Sequence, residues 1–469
     1  MTPRCNAILV TLMSVLLATN VSQAGDKPNI IFMLSDDQGW NGLSVAMHPE
    51  VAGSKGEIFQ TPNLEKLAAQ GMRFSSAYAP APVCSPTRIS IQTGKSPAQL
   101  HWTKAAPAVT ERKLIEPRLI KDLSKEEVTV AELLKKAGYA TAHYGKWHIA
   151  GGGPGSHGYD EHDGDTGNEN AFKYTDPNPV DIFGMAERAA KFMEKSQQAN
   201  KPFYIQLSWN ALHAPELAMK ATQAKYEKYA SQSNSKQIAT AAITEDLDSG
   251  VGKVLEAVER LGLSNNTYVI YMSDNGSGGG SKRGGISGGK GSVWEGGIRV
   301  PLIVRGPGVA TNSWCHVPVV GYDMLPTFCS LAGILPAEIP KGIEGGDITG
   351  LLQKNGEGSV KRKYEGLVFH FPHYQSDDGP HSAIRLGDLK LIHFYEEDRT
   401  ALFDLSKDIS ERNDLSQRMP KEAQLLKSRL DQYLASINAQ LPTPNTNFDP
   451  SQPVAPRKGG KNGKRGADK

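Results

Sequence analysis

The chain is poor in cysteine, with four in 469 residues, which excludes a fold stapled together by disulfides. It also lacks an excess of either charge. Its 52 basic and 50 acidic residues leave a formal net charge of +2, too small to draw nucleic acid or an anionic membrane surface to the molecule as a whole. Any preference for anions must therefore be local. Long hydrophobic runs are missing as well: beyond the N-terminus nothing approaches the roughly eighteen consecutive apolar residues that a bilayer-crossing helix needs. What remains is a chain long enough for one large domain and a smaller one.

The N-terminus carries Arg4, an apolar run from Ala7 to Ala18 and the small-residue site Ser22-Gln23-Ala24. That order reads as a signal peptide over residues 1–24, and the protein is expected to be exported to the periplasm or secreted. With Cys5 removed, Cys84, Cys315 and Cys329 remain, and an odd count in an exported chain implies one special thiol. Cys315 and Cys329 either close a short disulfide loop or stay as two buried thiols. Cys84 is the odd one out on both readings.

Cys84 sits in Val83-Cys84-Ser85-Pro86-Thr87-Arg88, ahead of an apolar-periodic stretch that reads as a helix. Ser85 is expected to cap that helix and Pro86 to occupy its first turn. The free N–H groups of a helix start, with Arg88 one turn along on the same side, suit an anionic ligand.

Elsewhere, strands and helices alternate. The apolar run 28–34 predicts a strand buried on both faces, followed by Asp36 and Asp37. Strands are also expected at 139–144, before Gly145-Lys146-Trp147-His148; at 203–208, before His213-Ala214-Pro215; at 267–273, before Asp274-Asn275-Gly276; and at 301–304. Helices are expected near 131–137 and 182–195, with a long one through Leu247, Val251, Val254, Leu255 and Val258. The fold class is α/β: a large, mostly parallel mixed sheet sandwiched by helices. Its domain would cover residues 25–360. A C-terminal unit, 361–440, combines short antiparallel strands with one helix near 421–437, and a flexible tail follows from 441.

In such a sheet, ligands bind beyond the carboxyl ends of the strands. Four predicted strands deliver Asp36 and Asp37, Lys146 and His148, His213, and Asp274 and Asn275 to that edge, so these groups can converge. Two adjacent carboxylates in a dry site repel, and a bound cation relieves them. With oxygen donors and no Cys/His set, Asp36, Asp37, Asp274 and Asn275 favour calcium, then magnesium, over zinc.

The segments Cys-x-Pro-x-Arg with Thr93-Gly94, Gly145-Lys146-Trp147-His148, His213-x-Pro215, Ser273-Asp274-Asn275-Gly276 and Lys290-x(4)-Glu-Gly-Gly-x-Arg-Val-Pro together resemble the type I sulfatases. These are the formylglycine-dependent, arylsulfatase-like members of the alkaline phosphatase superfamily. The resemblance implies that a formylglycine-generating enzyme oxidises Cys84 to Cα-formylglycine. It also implies that Asp36, Asp37, Asp274, Asn275 and the residue made from Cys84 hold one divalent cation, usually calcium. The hydrated aldehyde would attack sulfur to give a covalent sulfate hemiester, and its second hydroxyl would then expel sulfate. Arg88, Lys146 and Lys290 would neutralise the sulfuryl oxygens, His148 would bond the geminal diol, and His213 with Lys290 would protonate the leaving group. Glu295 and Arg299 read as structural.

Export and polar, aromatic loops favour a sulfated sugar or polysaccharide as substrate. Trp102, the 157–170 segment, His370, His373, His381 and Arg385 are the candidates to touch it. A phosphonate or phosphodiester hydrolase of the same superfamily, and a non-catalytic protein that binds sulfated glycans, are the alternative readings. Neither nucleic acid nor a membrane is an expected partner.

Overall fold

The computed structural model describes residues 27–277 and 285–451. The expected signal peptide, part of the glycine-rich run before Lys290 and the end of the tail lie outside them. In chain order the strands are β1 (Asn29–Ser35), β2 (Met72–Phe74), β3 (Ala77–Tyr78), β4 (Leu114–Ile115), β5 (Ala140–Gly145), β6 (Glu161–His162), β7 (Phe203–Ser208) and β8 (Thr267–Ser273). They continue as β9 (Leu302–Arg305), β10 (Ser313–Cys315), β11 (Val319–Val320), β12 (Leu367–Phe371), β13 (His381–Leu386), β14 (Leu389–Phe394), β15 (Arg399–Asp404) and β16 (Thr443–Pro444).

The large sheet runs β10-β2-β9-β8-β1-β7-β5-β6. Strand β1 pairs in parallel with β7 and β8, and β7 with β5, while β9 lies antiparallel between β8 and β2. It is the mostly parallel mixed sheet that the alternation predicts. Strand β1 shows why its sequence is apolar throughout. Ile31 and Met33 enter one core, Ile30, Phe32 and Leu34 the other, and all five are fully buried. Burial of each such side chain contributes roughly 1.5–3 kcal/mol. One face is covered by α1 (Pro62–Ala69), α4 (Ile182–Gln198) and the long helix Ser235–Arg260, the other by α2 (Cys84–Thr93), α3 (Val130–Lys136) and the helix Met324–Leu331.

The C-terminal unit is the antiparallel sheet β12-β13-β14-β15. Its strands alternate: Phe369, Ala383, Ile392 and Phe403 face Tyr78, Ile298 and Val320 of the large domain, while Val368, Ile384, Leu391 and Leu402 pack on the helix Pro420–Ser436. One sheet thus serves two cores. No helix among the described residues is long and apolar enough to cross a membrane.

The structure departs from the sequence expectations in two places and chooses between two alternatives in a third. Helix α2 begins at Cys84 itself, and its N-cap is Val83, which has no side-chain cap, so Ser85 is not the cap. Thr87 does the local fastening instead, its Oγ1 accepting from Ala81 N and donating to Ala81 O. Cys315 and Cys329 are free, buried thiols, which leaves the reduced alternative. The expected loose tail is still paired at its start, with Thr443 and Pro444 opposite Ile115 and Leu114.

Candidate active site

Neighbouring parallel strands β8, β1, β7 and β5 end side by side, and each hands a polar segment to the same edge. The ends of β1 and β8 are stitched together. Asp274 N donates to Ser35 O, Asp37 N to Asp274 Oδ1, and Gln38 N to Ser273 Oγ. Asp37 takes a left-handed conformation (φ 61°), one that aspartate tolerates better than most residues, and this turns the chain so that both carboxylates stay at the edge. At the end of β5, Gly145 (φ 89°) lies against β7, where an added Cβ would come within 2.2 Å of Ser208 O. Only glycine lets Lys146 leave the sheet there.

The ligand atoms of Asp36, Asp37, Cys84 and Asp274 lie within 4.8 Å of one another, and all four residues are buried. Each carboxylate has its own cation. Arg88 donates from Nε (3.0 Å) and Nη2 (2.7 Å) to Asp274 Oδ2, and its Nη1 holds Lys146 O at 2.7 Å. Lys146 Nζ lies 2.6 Å from Asp36 Oδ2, with both side chains fully buried. Lys290 Nζ sits 2.6 Å from Asp37 Oδ1 and 3.4 Å from Cys84 Sγ. Lys290 therefore lies at the centre.

The electrostatics follow from this crowding. For Asp36, burial works against ionisation but is outweighed by Lys146 and then Arg88, so its pKa is held well below the usual carboxylate range. For Asp274 the balance reverses, and burial followed by the charge of Asp36 pushes its pKa up to about 7. Burial, then Asp36, pushes the Cys84 thiol up to about 12, so at neutral pH it is protonated and a poor nucleophile.

Burial, then the charges of Lys146 and Arg88, lowers His148 to about 3 and keeps its ring neutral. His148 is itself in a left-handed conformation (φ 60°), pinned by its N–H to Thr166 O, and its buried Nδ1 has no hydrogen-bond partner among the described residues. A neutral imidazole with an open position can take a proton from a hydroxyl. His213 is half-buried, donates from Nδ1 to Ala214 O, and lies close enough for its charge to act on both Asp36 and His148. The residues that the sequence reading assigns to catalysis and to the metal thus meet at one edge.

Three carboxylates around a buried thiol fit a divalent cation, and so does one further atom. Asn275 donates from Nδ2 to Asp37 Oδ1, while its buried Oδ1 has no hydrogen-bond partner among the described residues. An orphaned amide oxygen beside three carboxylates is a hard-oxygen donor set of the kind calcium takes.

The substrate-contact candidates fare differently. Trp102, His370, His373, His381 and Arg385 are buried, and the polar ones are engaged inside the protein, whereas the 157–170 segment is mixed: His157 and Tyr159 are buried, and Asp160, His162, Asp163, Asp165 and Glu169 are exposed. His373 bridges Thr103 Oγ1 and Glu116 Oε2, His370 bridges Ser382 Oγ and Gln440 O, and Arg385 donates to Tyr78 OH. Composition reveals exposure poorly when a histidine is a core hydrogen-bonding group. Sequence reasoning also missed the layer beneath the site, where Gln92, Tyr159, Gln206, Ser208 and His143 form a buried polar network behind β5 and β7. No local pattern marks those residues.

The sulfatase family model matches residues 28–334, and the model for the C-terminal region of N-sulphoglucosamine sulphohydrolase matches residues 289–440. Human arylsulfatase A is 29% identical over 89% of this chain and 91% of its own length. N-acetylgalactosamine-6-sulfatase of Mus musculus is 32% identical, over 73% of this chain and 70% of its own. Among solved structures, Ps i-CgsB in complex with k-i-k-neocarrahexaose shares the fold with a TM-score of 0.71 at 24% identity, covering 87% of this chain and 93% of that one. A protein solved with its substrate D-glucosamine-2-N,6-O-disulfate has a TM-score of 0.69 at 20% identity, over 91% of this chain and 100% of that one.

Proposed function

Since the chain belongs to the sulfatase family and is a sulfuric ester hydrolase, we propose that it removes sulfate from a sulfated sugar, using a formylglycine made from Cys84 and one bound calcium ion. The observation that carries this reading is the pairing of each cation with a carboxylate around Cys84. In that arrangement Arg88, Lys146 and Lys290 are all occupied internally, and none is left for an anionic ester. A divalent ion on Asp36, Asp37, Asp274 and Asn275 would take over the carboxylates and release the lysines toward substrate. When bound, calcium would supply positive charge for a sulfuryl oxygen, and a hydrated formylglycine would supply the nucleophilic hydroxyl that the protonated Cys84 thiol does not.

This chain's own residues would perform the remaining steps. Lys146 and Lys290 bind the sulfuryl oxygens and offset the charge that grows on them, a contribution of order 2.7–4 kcal/mol for each such donor. Arg88 fixes Asp274 and the Lys146 backbone together and so sets the spacing of the site. His148, neutral and open at Nδ1, would accept a proton from a hydroxyl of the hydrated residue 84. His213, at the accessible side of the cluster, donates a proton to the departing sugar oxygen together with Lys290.

A sugar substrate is supported by the similar proteins whose names or bound molecules are sugars. Export through the 1–24 segment would bring the enzyme to polysaccharides outside the cytoplasm. The test is sulfate release from a panel of sulfated monosaccharides and an aryl sulfate, by protein produced with a formylglycine-generating partner. The matched aryl phosphate serves as control. Calcium-dependent sulfate release, with little phosphate release, is expected. Preferential phosphate release would overturn the assignment.

A further inference from the structure

Lys290 reaches the centre on a segment that the large domain holds through Lys290 N to Ser277 O, Gly291 N to Pro82 O, Gly276 N to Gly297 O and Tyr78 OH to Glu295 Oε2. The C-terminal unit grips the same segment on both sides of Lys290. Val293 N donates to His381 Nε2 at 2.9 Å, and Trp294 Nε1 to Asp378 Oδ2 at 3.1 Å. Glu295 N donates to Glu411 Oε2 at 2.7 Å, and Ser287 Oγ to Ser410 O at 2.6 Å. Lys390 Nζ joins Glu295 Oε1 (2.8 Å) to Glu411 Oε1 (2.7 Å), with all three side chains buried. Gly291 (φ 86°) comes so close to the C-terminal unit that a Cβ would meet Gln375 Cγ at 2.7 Å.

His381 is the most specific of these contacts. Because the Val293 amide must donate, Nε2 accepts, so Nδ1 carries the hydrogen and gives it to Gly379 O at 2.7 Å. The ring is fully buried, stacked on Phe394 and edge-on to Phe371, so its position is fixed by packing and its tautomer by two backbone groups.

We propose that His381 is a positioning residue for the sulfatase reaction: the C-terminal sheet, through this side chain, holds the 285–297 segment so that Lys290 Nζ stays against Asp37 and residue 84. The activity of the large domain then depends on a side chain of the smaller unit that touches no substrate. This rests on the function proposed above, and it gives the C-terminal unit a role in the reaction itself.

The test uses the full chain and four variants: His381→Phe, which keeps the aromatic packing but loses the acceptor; His381→Gln, whose Oε1 can restore it; Lys290→Ala; and the His381→Phe/Lys290→Ala double variant. Amide hydrogen exchange over 285–297 is expected to speed up in His381→Phe and to return toward the parent in His381→Gln. Aryl sulfate turnover should fall in His381→Phe on the order of 10- to 100-fold, as expected for a displaced catalytic group. In the Lys290→Ala background the same change should cost almost nothing further, because two changes acting through one group are not additive.

An equal loss in both backgrounds, or unchanged exchange at Val293, would overturn the proposal. Should His381→Phe not fold, Trp294→Phe removes only the bond to Asp378 from the same segment and runs the same cycle. A parent chain that releases no sulfate refutes the proposed function instead, and the exchange comparison still decides whether His381 holds the segment.

Discussion

Replacing Lys146 with methionine keeps the length and apolar stem of a fully buried side chain and removes only its charge. In the calcium-free protein the 2.6 Å partner of Asp36 disappears, and the next cation, Arg88 Nη2, is 4.0 Å from Asp36 Oδ1 and already committed to Asp274. Stranding one half of a buried ion pair costs about 3–5 kcal/mol. An unfolding entropy of about 2.1 cal/mol/K per residue gives about 1 kcal/mol per degree for this chain. The expected drop in Tm is therefore about 3–5 °C in EDTA. Calcium should give back part of that loss, because a divalent ion on Asp36 replaces the missing charge and no longer competes with an ammonium group.

Differential scanning fluorimetry of parent and variant, in EDTA and in excess calcium, reads both effects. The calcium-induced rise in Tm should be larger for Lys146→Met than for the parent. Turnover of an aryl sulfate by the same preparations should fall about 10²- to 10³-fold, the usual cost of one transition-state donor. Maturation is not confounded, since Lys146 lies outside the segment around Cys84. Equal calcium increments in the two proteins, or a kcat within a few-fold of the parent, would refute the shared use of Asp36 by Lys146 and a cation.

Asn275→Leu removes the orphaned Oδ1 along with the Nδ2 bonds to Asp37 Oδ1 and Gly276 O, so the Tm should fall in EDTA and the calcium-induced rise should shrink as well; a full calcium increment would exclude Asn275 from the ion site. Glu411 is pushed up to about 7, chiefly by burial, with Glu295 adding to the shift and Lys390 opposing it. Its folded pKa lies above the unfolded value, so it contributes stability that is present below the unfolded pKa and lost as pH rises toward 7. Glu411→Gln should therefore gain Tm relative to the parent as pH rises from about 4.5 to about 7, and a constant difference across that window would show that Glu411 is ionised throughout. Gly145→Ala places a Cβ 2.2 Å from Ser208 O at a positive φ, and should yield little soluble protein; normal yield with normal turnover would mean that the end of β5 can shift without consequence.

Much of this architecture was legible because it rests on short-range rules. The largely apolar runs at 29–35, 203–208 and 267–273, short and rich in β-branched and aromatic residues, read as strands buried on both faces, and in a parallel sheet the polar groups that follow them share one edge. The start of α2 was less legible, because Val83 caps it by backbone geometry alone and Ser85 is inside. The histidines of the C-terminal unit were misplaced for a related reason. Alternation along β12 and β13 shows which residues share a face, but not that both faces are covered, one by the large domain and the other by the helix Pro420–Ser436. The grip of His381 and Glu411 on the Lys290 segment joins positions about ninety to more than a hundred residues apart, and no spacing rule reaches that far.

The most direct test of the whole account is the mass of the tryptic peptide Phe74–Arg88, measured on enzyme that is releasing sulfate. The formylglycine mechanism predicts the lighter aldehyde form at Cys84 in the active fraction, with turnover proportional to the extent of conversion. An unmodified thiol in fully active enzyme would contradict it.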